Sequence, residues 1–311
     1  MNPLIIALCI VYAFSGVSAR TPVWQPSREH VQVPIWPGEA PDAQPLAGPE
    51  IATTEAELVA GRPWIAVGKV SQPTMTVYSP EGKNTGAAVV VFPGGGYEVL
   101  AIDLEGTEVC DWLTSRGITC VLLKYRVPGE GLTPESGAYP KSPMALEDAQ
   151  RTMGLVRFNA AKWHIDPHKI GVLGFSAGGH LVAAISTHFD RRLHLAVDTA
   201  DKESCRPDFA VALYPGHLLE HTSKPLQLNP YVPVTGKTPP TFLLQAEDDP
   251  VDSVNNSLVY YIALKKAGVP VEMHLYAHGG HAFGLRRTQF PITAWPQLVE
   301  RWLRTIGMIA Q

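Results

Sequence analysis

The sequence predicts an α/β chain: a mostly parallel central sheet with helices on both faces. Three observations predict it. Short, continuous apolar runs such as residues 87–92 (AAVVVF) read as strands buried on both faces. Helical stretches alternate with these runs, as repeated βα units require. A G-x-S-x-G pentapeptide, Gly174-Phe175-Ser176-Ala177-Gly178, stands where one such strand meets one such helix.

The elements follow in order from about Met75. After the strand at 87–92, residues 105–116 read as a helix that ends at Gly117, a glycine suited to the left-handed turn past a helix end. Residues 119–125 (TCVLLKY) are the next strand. Ser142-Pro143 reads as a helix start, a capping oxygen followed by proline at the first helical position, with the helix running to about Ala161. Strands are expected at 170–175, 209–214, 241–245 and 271–276, and helices at 177–187, 254–267 and 294–309. Two polar stretches, 191–207 and the Pro-rich 216–240, fit no element. Long irregular insertions often act as lids.

Composition narrows the class of function. Of 311 residues, 45% are hydrophobic and 17% charged, which excludes disorder as the main state. A net charge of −4 and the lack of a Lys/Arg run argue against nucleic acid as a partner. Four cysteines without a CxxC pair suggest neither a disulfide scaffold nor a zinc site. Residues 1–19 carry no charged side chain, and Val17-Ser18-Ala19 matches a small-residue cleavage site. The expectation is a signal peptide at 1–19 and a secreted or periplasmic protein, with no other segment apolar enough to span a membrane. Removal of the leader takes Cys9 with it. Cys110, Cys120 and Cys205 remain, and their pairing is open.

There are 28 prolines, well above the average usage of about 5%. Seven fall between Pro22 and Pro49, so this stretch cannot be a regular helix. Residues 20–69 are therefore expected to form an extended arm, and 70–311 one catalytic domain.

Chemistry gathers at four points. The tight turn at G-x-S-x-G strains the serine backbone and presents its hydroxyl at a helix N-terminus, which makes Ser176 the candidate nucleophile. A serine needs a base, and the base an orienting acid. In folds that carry this elbow, the acid and then the base follow in chain order. After the strand at 241–245 stand Asp248 and Asp249, followed by Pro250-Val251. Asp249 is the candidate acid, with Asp248 and Asp252 as rivals. After the strand at 271–276 comes His278-Gly279-Gly280-His281-Ala282-Phe283-Gly284. His281 is the candidate base, because glycines on either side allow a tight loop. His278 is its rival, and His180 reads as structural. The loop Pro93-Gly94-Gly95-Gly96-Tyr97 follows a central strand and leaves backbone N–H groups unshielded. Gly94 or Gly95, together with Ala177, form the candidate oxyanion hole. A phosphate cradle would need a following Gly-Lys-Ser/Thr, which is absent. Tyr97 either lends its hydroxyl to the site or packs.

With these residues in view, the chain resembles an α/β-hydrolase esterase of the acetylesterase and acetyl-xylan-esterase-like group. It is similar to the branch of bifunctional feruloyl and acetyl-xylan esterases. The resemblance rests on 92–97 (FPGGGY), 170–180 (IGVLGFSAGGH), 248–251 (DDPV) and 279–284 (GGHAFG), and covers about residues 70–311. One departure separates it from the related lipases: where they carry His-Gly-Gly-Gly, this chain has Pro93-Gly94-Gly95-Gly96. The resemblance implies a serine esterase without metal or cofactor that cleaves short acyl esters, above all acetyl, on carbohydrate substrates. A serine peptidase or amidase on the same fold, and a non-catalytic binding protein reusing it, are the rival readings. Tyr231 stands as a possible sugar contact.

Overall fold

The computed structural model describes residues 23–44, 48–127, 137–220 and 226–310. The predicted leader lies outside these residues. The described strands are β1 (Gln32–Pro34), β2 (Ile51–Val59), β3 (Arg62–Gly68), β4 (Thr74–Tyr78), β5 (Ala88–Phe92) and β6 (Val99–Ala101), followed by β7 (Thr119–Lys124), β8 (Ile170–Phe175), β9 (Ala210–Leu213), β10 (Thr241–Ala246) and β11 (Val271–Tyr276). The α-helices are α1 (Glu108–Ser115), α2 (Met144–Phe158), α3 (Ala177–Thr187), α4 (Asn255–Lys266) and α5 (Trp295–Thr305).

An 8-stranded sheet runs β1-β4-β7-β5-β8-β9-β10-β11. From β7 to β11 every neighbouring pair is parallel, while β1 and β4 pair antiparallel at one edge. The central strands are mostly apolar because helices cover both faces: every residue of β5, β7 and β8 is buried, Thr119 and Lys124 at the ends of β7 included. The parallel order has one consequence for function. The loops that leave β5, β8, β10 and β11 all emerge at the same edge of the sheet, where side chains from distant parts of the sequence meet.

Several local expectations change. The helix expected from Ser142 opens at Met144 instead, with Pro143 as its cap residue and no side-chain cap. The amide of Ser142 donates to the Ala138 carbonyl, so this residue closes the preceding turn rather than capping the helix. The helix expected from 105 begins with a wide π turn at Asp103–Thr107 before α1, and Gly117 takes φ +75° at its far end.

The Pro-rich segment is not helical where it is described, and β1 joins the sheet edge. Residues 51–68 form a β2–β3 hairpin that pairs with β6 in a 3-stranded sheet, which the extended-arm reading does not anticipate. The buried guanidinium of Arg286 fastens this hairpin. It donates to the carbonyls of Arg62 and Pro63 and pairs with Glu108 of α1 at 2.8 Å.

Cys110 of α1 and Cys120 of β7 form a disulfide, and Cys205 is buried and free. Burial pushes the Cys205 thiol up, away from the reactive thiolate. Among the described residues no helix is long and apolar enough to cross a membrane, and no cluster of His, Cys, Asp and Glu has the geometry to hold a metal.

Candidate active site

Ser176 stands between the end of β8 and the start of α3 with φ 52° and ψ −119°, a conformation that a residue with a side chain adopts only under constraint. The constraint is packing. A Cβ on Gly174 would lie 2.2 Å from the Gly178 carbonyl oxygen, and one on Gly178 would lie 2.1 Å from that of Phe92. Only glycine lets strand, helix and the neighbouring β5 approach this closely.

His281, in the loop after β11, reaches Ser176. Its Nε2 is 2.9 Å from the Ser176 Oγ, and its Nδ1 is 2.7 Å from Oδ2 of Asp249, in the loop after β10. The ionised carboxylate of Asp249 can only accept, so Nδ1 carries the proton and Nε2 accepts the serine O–H. Asp249 is itself held: its Oδ1 accepts the amides of Val251 and Asp252, each at 2.9 Å. Burial works against a charge on His281. The Asp249 hydrogen bond and charge, with Asp252 and Glu105 nearby, outweigh it and raise the imidazole pKa above its ordinary value.

The rivals take other places. Asp248 accepts the amides of Gly279 and Gly280 at 2.9 Å and the His278 ring at 3.1 Å, so it shapes the loop that carries His281. The His278 side chain is 69% exposed and points away from Ser176 to Asp248. Asp252 faces the opposite side of the imidazole from Asp249, with Oδ2 3.8 Å from Nε2 and 3.4 Å from the Ser176 Oγ. Burial raises its pKa. His180 is buried and hydrogen-bonded to the Tyr97 hydroxyl at 2.7 Å; burial pushes its pKa down to about 3, so it stays neutral. Tyr97 therefore packs behind the site instead of lending its hydroxyl to it.

The oxyanion loop needs one correction. The Gly94 amide donates to Oε2 of buried Glu105 at 2.7 Å, so it is engaged and cannot serve an oxyanion. Gly95 lines the cavity, and its N–H has no protein acceptor among the described residues. With φ +128°, and with a Cβ there only 2.2 Å from the Val99 carbonyl oxygen, this position admits only glycine. Ala177 opens α3, where the first N–H groups have no partner within the helix. Gly95 with Ala177 is the pair that remains.

Sequence reasoning missed Glu105 and Tyr214. Oε1 of Glu105 accepts the Tyr214 hydroxyl at 2.8 Å, and that hydroxyl accepts the Gly284 amide at 3.1 Å. The Tyr214 ring packs edge-on against His281, with centroids 4.9 Å apart. One buried carboxylate thus braces the glycine loop and, through Tyr214, the histidine loop. Burial raises the Glu105 pKa; the bonds from Tyr214 and Gly94 oppose the rise. The available signal was spacing, since Glu105, Val109 and Leu113 fall four apart on what reads as one apolar stripe.

A cavity of about 820 Å³ opens over Ser176. Its walls include Gly95, Asp252 and His281, and also Glu57 and Trp64 from the β2–β3 hairpin. A second cavity of about 410 Å³ shares His217 and Leu219 with it and holds Tyr139 and Tyr231. Tyr231 therefore borders the neighbouring cavity, not the one above the serine. Residues 221–225 of the suspected lid lie outside the described residues.

A strained serine on a strand–helix turn, joined in line to an imidazole and a held carboxylate, has the arrangement that a nucleophile and its base require. The family model described as "alpha/beta hydrolase fold" matches residues 89–285. The chain belongs to the α/β-hydrolase family. It is 30% identical over 231 residues to an acetylxylan esterase of Xylanibacter ruminicola, covering 68% of this chain and 43% of that protein. It is also 30% identical over 218 residues to endo-1,4-β-xylanase B of Butyrivibrio fibrisolvens, covering 65% of this chain and 33% of that protein. The chain thus spans less than half the length of these two relatives. Among solved structures, an acetyl ester-xyloside bifunctional hydrolase from Caldicellulosiruptor lactoaceticus superposes with a TM-score of 0.70 at 35% identity, covering 90% of this chain and 97% of that one.

Proposed function

We propose that this α/β hydrolase is a serine esterase that removes short acyl groups, above all acetyl, from carbohydrate esters. The observation that carries the reading is the continuous path from Asp249 through His281 to Ser176, with bonds of 2.7 and 2.9 Å. The choice of acetyl and of a carbohydrate alcohol draws on the names of the relatives.

The reaction follows from the geometry. Ser176 Oγ attacks the ester carbonyl carbon while Nε2 of His281 takes its proton. Asp249 holds the imidazolium that forms. The amides of Gly95 and Ala177 donate hydrogen bonds to the carbonyl oxygen as negative charge develops on it. The tetrahedral intermediate collapses, the alkoxide leaves with the proton from Nε2, and an acyl-serine remains. Water then attacks the acyl carbon and gives its proton to Nε2, and as this second intermediate collapses Nε2 returns the proton to Ser176 Oγ, which leaves with the acid released. Export to an oxidising compartment is part of the proposal. The uncharged leader and the Cys110–Cys120 disulfide support it.

The test is a substrate comparison. Acetate release from acetylated xylan, with no cleavage of aryl-peptide amides, is expected. Cleavage of the amides without acetate release would replace the reading by a peptidase or amidase.

A further inference from the structure

We propose that Asp252 is a specificity residue whose carboxylate accepts a hydrogen bond from a hydroxyl on the carbon next to the esterified one, so that the site favours monoesters of vicinal diols. This rests on the esterase reading above and narrows it.

The observation is a carboxylate with no structural task. Asp252 lines the cavity, yet its side chain receives no hydrogen bond from a described residue except a long one, 3.4 Å, from Ser176. Serine has one proton, and His281 accepts it at the shorter distance of 2.9 Å. A largely buried carboxylate without donors is costly, and such groups are normally paired. His281 and His217 nearby favour its charge and offset part of that cost. The main chain of Asp252 does the structural work: its amide donates to Asp249 at 2.9 Å and its carbonyl accepts the Gln245 side chain at 2.6 Å. These bonds fix where the carboxylate stands. Gly216 leaves it room, since a Cβ there would fall 2.5 Å from its Oδ1.

Position names the ligand. The departing alkoxide oxygen must lie within reach of Nε2 of His281 to recover its proton. Asp252 Oδ2 stands 3.8 Å from that nitrogen. A gauche hydroxyl on the adjacent carbon of the alcohol lies about one hydrogen-bond length from the alkoxide oxygen, and so beside the carboxylate. An ionised carboxylate accepts only, so it selects a donor at that point. A simple alkyl ester covers the carboxylate without pairing it, which is the condition under which sites built for a hydroxyl reject analogues that lack one. His281, His217 and Asp249 are the ionisable groups that act on it, and Glu57 and Glu105 line the same cavity.

The experiment compares kcat/KM for trans-2-hydroxycyclohexyl acetate, trans-2-methoxycyclohexyl acetate and cyclohexyl acetate, in the unaltered enzyme, Asp252→Asn and Asp252→Ala. The methoxy ester keeps the inductive effect of the oxygen and loses the donor. The unaltered enzyme is expected to prefer the hydroxy ester to both others by about tenfold or more, the range of a hydrogen bond to a charged acceptor. The preference should shrink in Asp252→Asn and fall to near one in Asp252→Ala. Equal rates on the three esters in the unaltered enzyme would overturn the proposal and leave the esterase reading intact. So would a preference that survives in Asp252→Ala, including a uniform drop on every ester. Failure to hydrolyse any of them would overturn the esterase reading and the proposal with it.

Discussion

The carboxylate of Glu105 accepts the amide of Gly94 at 2.7 Å, and both are buried beside Ser176. This bond turns one glycine of the loop inward and leaves Gly95 as the amide facing the cavity. Because Glu105 also holds Tyr214, it sets the position of two loops at once. In Glu105→Gln one of the two donors meets an amide NH₂ where it had an oxygen. We expect kcat to fall by about 10- to 100-fold with KM changed little, as for the loss of a group that orients others. Steady-state kinetics alongside a near-ultraviolet dichroism spectrum separates this from misfolding.

Asp249→Asn should be far more damaging. Asparagine can donate to Nδ1 and so stabilise the wrong tautomer, which puts a proton on Nε2 where a lone pair is needed. A loss of about 10⁴-fold in kcat is expected. A loss smaller than tenfold would point to Asp252 as the working acid.

The pH profile follows from the direction of the His281 shift. Activity needs the neutral imidazole, so it is lost as pH falls through the pKa of His281. That pKa is raised by Asp249, Asp252 and Glu105 against the effect of burial. The acid limb of kcat/KM should therefore lie above the ordinary histidine value of about 6.5. Asp252→Asn should move the limb to lower pH, read from the same profile.

Gly178→Ala forces a Cβ to within 2.1 Å of the Phe92 carbonyl oxygen. The strand–helix junction must open to admit it. A destabilisation of about 1–3 kcal/mol or more is expected, as for overpacked cores, and thermal unfolding measures it.

The Cys110–Cys120 disulfide closes a short loop, with a sequence separation of 10, between α1 and β7. In the chain-entropy view a loop of this size contributes about 2–3 kcal/mol. The double variant Cys110→Ser/Cys120→Ser should melt at lower temperature yet keep its turnover, because neither residue lines the catalytic cavity.

How much of this was legible in the sequence differs by element. The central strands announce themselves, because a strand buried on both faces is a continuous apolar run, as in 87–92 and 170–175. Ser176, Asp249 and His281 could be named as candidates because each follows a strand, the buried β8 and β10 and the half-buried edge strand β11, and parallel strands end at one edge. The β2–β3 hairpin was hidden. Its sequence, IATTEAELV and RPWIAVG, is only partly apolar, since the hairpin lies over the site with much of its surface in solvent. The roles of Glu105 and Tyr214 were hidden for another reason. They exist only through contacts between residues 105, 214 and 284, and no local pattern records a hydrogen bond across the fold. Gly94 and Gly95 look alike in sequence; the carboxylate 11 residues on separates them.

The most direct measurement is hydrolysis of an acetyl ester by Ser176→Ala set beside the unaltered enzyme, with a fluorophosphonate label located by mass spectrometry in each. The nucleophile reading predicts a loss of at least about 10⁴-fold in kcat, a label on Ser176 of the unaltered enzyme, and none in the folded variant. Turnover within tenfold of the unaltered enzyme, or a label carried by another residue, would contradict it.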